Sequence, residues 1–279
     1  MKKSTIAIVS FLACACIFAS CQKNDAEATA PVLPPVESIM PDLSSFNPVT
    51  KADADSRNEY FAYVADYVIN NWQKVFEQVI NIPVQGFQAF VDIHPVYQGN
   101  GMWLWQCDVR DGFTTYTVSL VGKVKRNSMV EWELAVSSKG LITLKNFVWL
   151  TGESTKDGLK GNWKVSVGPT DIISPTDVIV TSEWECNSAK EVQKVDLTYA
   201  LGHMCCGINP FFHNSTISYM AYATGDAYDH SVSAYYNHMG LGWWKADAEG
   251  NASNGSGQVR CSSKWGDSDW HQWPAIVSE

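Results

Sequence analysis

The chain reads as a mainly β protein: an antiparallel meander curled into a barrel or half-barrel, with one N-terminal amphipathic helix packed on it. Three observations carry this expectation. Apolar residues recur at three- and four-residue steps only between about Ala54 and Ile80. Beyond Gly101 the period falls to two, the mark of strands with one face buried. Turn residues separate these runs, and no helical pattern lies between them, so neighbouring strands pair antiparallel.

The helix comes first. Phe61, Val64, Tyr67, Val68, Trp72, Val75, Phe76, Val79 and Ile80 form an apolar stripe. Asp53 or Asp55 suits its start and Pro83 its stop, with a further helical turn or two around Val84–Val91. Alternating runs follow at 103–109, 115–120, 130–136, 163–167, 178–186, 192–200, 216–223, 231–236, 242–246 and 257–263. Some ten strands are therefore expected. Trp103, Trp105, Cys107 and Val109 share one face, as do Val130, Trp132, Leu134 and Val136. Gly250–Gly257 reads as a flexible loop. Asp111–Val118 and Asp157–Val165 resemble one another weakly, as glycine- and aromatic-rich hairpins often do.

The N-terminal residues give an address. Lys2 and Lys3 precede an apolar run from Ile6 to Phe18, and Ala19, Ser20 and Cys21 follow. A charged start, a short apolar stretch and small residues at the cut make a secretory signal. The run is shorter than the ~20 apolar residues that span a bilayer. Phe18-Ala19-Ser20-Cys21 resembles the box of bacterial lipoproteins processed by signal peptidase II, with Phe in place of the usual Leu and Ser before the Cys. Gln22-Lys23-Asn24-Asp25-Ala26-Glu27 is similar to the signal that sends Bacteroidota lipoproteins to the cell surface. The resemblance implies that residues 1–20 are removed and that Cys21 carries the lipid. It places the protein on the outer membrane, surface-exposed rather than periplasmic. A cleaved secretory leader with an incidental cysteine is the competing reading. The body resembles no characterised family.

Pro31, Pro34, Pro35, Pro41 and Pro48 favour extended chain, so residues 21–53 are expected to be a disordered tether. Residues 54–279 then form a single domain. The net charge is −9, and it becomes more negative once Lys2 and Lys3 leave with the leader. That balance argues against nucleic acid, which needs basic patches, and against docking on anionic lipid without acyl chains.

Candidate chemistry is sparse. Glu131 with Glu133, and Glu183 with Glu185, share strand faces as a glycosidase pair would. Trp132 and Trp184 lie between them in phase with the core, which puts the carboxylates in water. Cys107, Cys186, Cys205, Cys206 and Cys261 follow Cys21, an odd set in which a Cys107–Cys186 bridge is one pairing among several. His203, Cys205, Cys206 and His213 are soft ligands for a metal such as zinc, at a spacing that matches no structural zinc motif. No motif implies a cofactor. Twelve Trp is a high count, and Trp243, Trp244, Trp265, Trp270 and Trp273 crowd the C-terminal end. Such aromatics beside acidic and amide side chains suit sugars; they also close barrel ends.

Two functions of different class follow. One is a non-catalytic binding protein that holds a glycan through the C-terminal aromatics. The other is a carrier that shelters an apolar or acyl ligand inside the barrel. A glycoside hydrolase is the minor alternative. The direction in which the Trp side chains point separates the first two.

Overall fold

The computed structural model describes residues 29–43, 46, 69, 71–111, 114–139, 143–166, 177–200, 213–222, 227–238, 242–263, 266–267 and 270–273. The leader, Cys21, residues 22–28 and the expected helix start before residue 69 lie outside them.

The alternating segments form one antiparallel sheet of fourteen strands. In chain order they are β1 (Val96–Gly99), β2 (Met102–Asp111), β3 (Thr114–Val124), β4 (Met129–Lys139), β5 (Leu144–Thr155), β6 (Lys160–Ser166) and β7 (Val178–Cys186). Then come β8 (Val192–Tyr199), β9 (Thr216–Ala221), β10 (His230–His238), β11 (Gly242–Gly250), β12 (Gly257–Ser263), β13 (Gly266–Asp267) and β14 (His271–Trp273). Each strand to β13 pairs with the next, and β14 returns to β12. Among the described residues no ladder joins β1 to the far edge, so the meander is an open half-barrel.

Strand β5 is missing from the sequence reading for a physical reason. The β4–β5 ladder pairs Leu134 with Leu150 but Ala135 with Val148, leaving Trp149 as an extra residue. A bulge of this kind breaks the two-residue period. Trp149 and Leu150 are consequently both buried.

The concave face is built from tryptophan against glycine. One transverse row runs Trp103, Gly122, Trp132, Gly152 and Trp163 across β2–β6. A Cβ added to Gly122 would lie 2.6 Å from the Trp132 ring, one on Gly152 2.3 Å from the Trp163 ring, and one on Gly161 2.8 Å from the Trp184 ring. Each indole therefore lies across the backbone of the adjoining strand. Only glycine leaves that space open.

The helix fills the hollow. Residues 71–75 are α-helical, Phe76–Ile80 form a wider π-helical stretch, and α1 (Asn81–Gln88) completes the element. Pro83 does not stop it. The Asn81 N–H donates to the carbonyl of Phe76, five residues back, and this wider turn absorbs the shift just before the proline. Trp72, Val75, Val79, Ile80, Val84 and Phe87 join the core. Gly86 allows the helix to settle on Val118, and the Phe87 ring meets Trp163 edge-on with centroids 5.7 Å apart.

Part of the expected tether is a packed strap instead. Val32 N–H donates to Lys156 O at 3.1 Å, in the β5–β6 turn. A 3-10 turn at Val36–Ser38 follows, and Ser38, Ile39, Leu43 and Phe46 are buried. Trp163 Nε1 donates to Ser38 Oγ at 2.9 Å, and Ser38 Oγ donates to Pro35 O at 2.5 Å. Proline excludes a regular element here, but it also brings no N–H that burial would orphan. The apolar residues between the prolines supply the contact.

Gly152→Ala is expected to lower stability by about 1–3 kcal/mol, the cost of overpacking a filled core. Ser38→Ala, which orphans the Trp163 N–H, should also cost about 1–3 kcal/mol. Urea-unfolding midpoints of the two variants check both values.

Candidate binding face

Alternation along β10–β12 divides the C-terminal aromatics. Trp244, Ala246 and Ala248 point into the core, whereas Trp243, Lys245, Asp247 and Glu249 point outward. Trp243 is 48% exposed and Trp244 2% exposed, so these neighbours take opposite roles. Trp270 is half-buried on the outer face. Trp273 sits in β14 opposite Gly257, with its side chain outside the described set, and Trp265 lies outside it altogether.

Strand register adds residues that a linear reading misses. Tyr235, 44% exposed, lies opposite Lys245 and diagonal to Trp243. Lys245 Nζ sits 5.7 Å from the Tyr235 ring centre, and Arg260 Cζ 4.7 Å from that of Trp270. Both are cation–π distances. Asp247 ties the two together. Its Oδ1 accepts from Lys245 Nζ at 2.7 Å and Ser233 Oγ at 2.5 Å, and its Oδ2 from Arg260 Nε at 3.3 Å. Beside it Gln258 Nε2 donates to Glu249 Oε2 at 2.6 Å. The result is a stripe of aromatic, cation, carboxylate, cation and aromatic across neighbouring strands. Side chains held this way lose little freedom when a ligand arrives.

The same face carries the acidic pairs. Lys123, Glu131, Glu153, Asn162, Glu183, Asp196, Ser218, Ser233, Asp247 and Arg260 form one row from β3 to β12. Lys125 pairs with Glu131 and with Glu153, and Lys194 Nζ lies 2.7 Å from Asp196 Oδ2. Trp132 and Trp184 are buried behind Glu131 and Glu183. Glu131 thus faces water and Lys125, and Glu133, Glu183 and Glu185 stand exposed, as alternation implies.

Of the metal candidates, His203, Cys205 and Cys206 lie outside the described residues, and His213 is exposed in the turn before β9. Among the described residues no group of three or more His, Cys, Asp or Glu side chains is placed to hold a metal ion. Cys107 and Cys186 do not bridge each other. Burial, with Glu37 adding to it, pushes the Cys186 thiol up to about 11. Burial, and then Asp108, raises Cys107 as well.

The interior bears on the carrier reading. Trp72, Trp163, Trp184, Tyr199, Tyr236, Phe46, Phe87 and Phe90 are fully buried within the hollow of the half-barrel. Among the described residues, helix, strap and indoles pack into the space a sheltered ligand would take.

Comparison with protein-family models, curated proteins and solved structures found no match to the chain.

Cys186 and Cys261 should resist a thiolate-selective reagent at pH 8 in the folded protein. A neutral thiol is a poor nucleophile, and a pKa near 11 leaves about one Cys186 in a thousand ionised. Unfolding in guanidinium should release both, as counted by reagent absorbance or peptide mass.

Proposed function

We propose that this protein is a lipid-anchored lipoprotein of the outer membrane, exposed at the cell surface, that binds glycans through the outer face of β10–β12. The observation that carries the reading is the outward pair of Trp243 and Tyr235. Both rings are nearly half exposed, on a face whose polar side chains are already fixed by Asp247. Sugar recognition needs a flat apolar ring under the C–H face and oriented donors and acceptors around it. This stripe supplies both. The partners are therefore a glycan and, through the acyl chains on Cys21, a membrane. The filled interior favours this reading over a carrier, and the solvated carboxylates of the outer face, with Glu131 held by Lys125 and Glu133, Glu183 and Glu185 exposed, favour it over a glycoside hydrolase.

Binding is tested by calorimetric titration of the full chain with a panel of neutral and acidic oligosaccharides. Trp243→Ala with Tyr235→Ala should weaken binding at least about tenfold, or ~1.4 kcal/mol, with little change in melting temperature. Trp244→Ala should instead destabilise the fold by about 3–5 kcal/mol. Glycan affinity that survives in the double variant would move the site elsewhere, and a chain that binds no glycan would end the reading.

The anchor has its own test. A clickable palmitate analogue fed to the producing bacterium should label the wild-type protein, and Cys21→Ala should abolish the label. Surface protease should cut the wild type in intact cells.

A further inference from the structure

Among the described residues most of the β2 edge of the sheet has no partner strand. β1 covers β2 only at Met102, Trp103 and Leu104. From Trp105 to Asp111, β2 has a ladder with β3 alone among the described residues. Gln106, Asp108, Val109 and Arg110 are all exposed there. A strand edge of this length offers a row of N–H and C=O groups to any extended chain.

We infer that this edge is a self-pairing surface, and that two copies of the chain join β2 to β2 across a two-fold axis at Val109. The charges select the occupant. In an antiparallel pair centred on Val109, Asp108 of each copy lies opposite Arg110 of the other. The two-fold axis produces that pairing twice. An edge protected against its own copy would carry like charges in these positions. The Asp108 carboxylate is already oriented, because Thr117 Oγ1 donates to its Oδ1 at 2.7 Å on the outer face. The joined sheets continue from one half-barrel into the next. β10–β12 stay free at the distant edge of each copy, so the dimer presents two binding faces. The inference stands on the β2 edge alone and does not depend on what those faces bind.

The test is a cysteine at the axis. Opposed Cβ atoms in an antiparallel pair lie about 4.5–5.5 Å apart, within reach of a disulfide after small adjustment. Val109→Cys in a Cys107→Ser background, as the full chain under mild oxidation, should give a covalent homodimer on non-reducing electrophoresis. Val91→Cys, 66% exposed and off this edge, should stay monomeric. Adding Asp108→Arg should cut the cross-linked fraction at least about fivefold, and the swap D108R with R110D should restore it. Circular dichroism of each variant verifies the fold. A monomeric Val109→Cys chain, a cross-link indifferent to Asp108→Arg, a swap that fails to restore it, or a mixed disulfide with a different protein would each overturn the inference.

Discussion

Everything in this structure leans on Trp163. Its ring lies over Gly152 of the neighbouring strand, its edge meets Phe87 of the helix, and its N–H is received by Ser38 of the strap. Sheet, helix and N-terminal segment therefore meet on one side chain. The constraint behind this is spatial. Two indoles do not occupy directly opposed positions of the row, which alternates Trp with Gly, and Trp163 instead stacks on Trp184, one step along the adjoining strand, with centroids 6.5 Å apart. Trp132 over Gly122 and Trp184 over Gly161 repeat the arrangement. A hollow tiled in this way is shallow, and one helix and one strap complete it.

Filling the inside leaves the outside to carry recognition. Interior side chains are locked by packing, whereas the convex face holds the charges and the exposed rings. Most of its ion pairs are surface pairs worth little to stability. Asp247 is different because it is only 7% exposed and receives two cations and a hydroxyl. Burial makes those bonds count for more and makes an unmade one costly. Lys245 and Arg260 are thereby held over Tyr235 and Trp270 instead of sweeping through solvent.

The fold class was legible because period two survives wherever a strand has one wet face. It failed at β5, where the bulge at Trp149 breaks the alternation, and at Pro83, where a π-helical stretch carries the helix past a residue that normally ends one. The strap is not legible in the sequence because proline content reports regular structure and not burial. Ile39, Leu43 and Phe46 were in plain sight, but nothing local says that an extended segment has a surface to lie on. The candidate site was half legible. Adjacent Trp243 and Trp244 had to face opposite ways in any strand. The partnership of Tyr235 with Lys245, and of Asp247 with Arg260, depends on register, which is a property of the whole sheet.

The strap also bears on how the proposed anchor would work. With residues 21–53 free, a body could range far from the lipid. With the chain already bound to the β5–β6 turn at Val32, few residues separate Cys21 from the sheet. At about 3.3–3.6 Å per residue, Cys21 to Val32 reaches no more than about 40 Å. A lipid on Cys21 would then hold the β5–β6 turn, and the tight turns at the same end of the meander, close to the membrane. Strands rising from that end would stand the convex face upright, looking sideways along the envelope surface. A face so placed meets chains that lie along the surface more readily than molecules arriving from above, and extended polysaccharide is a ligand of that shape.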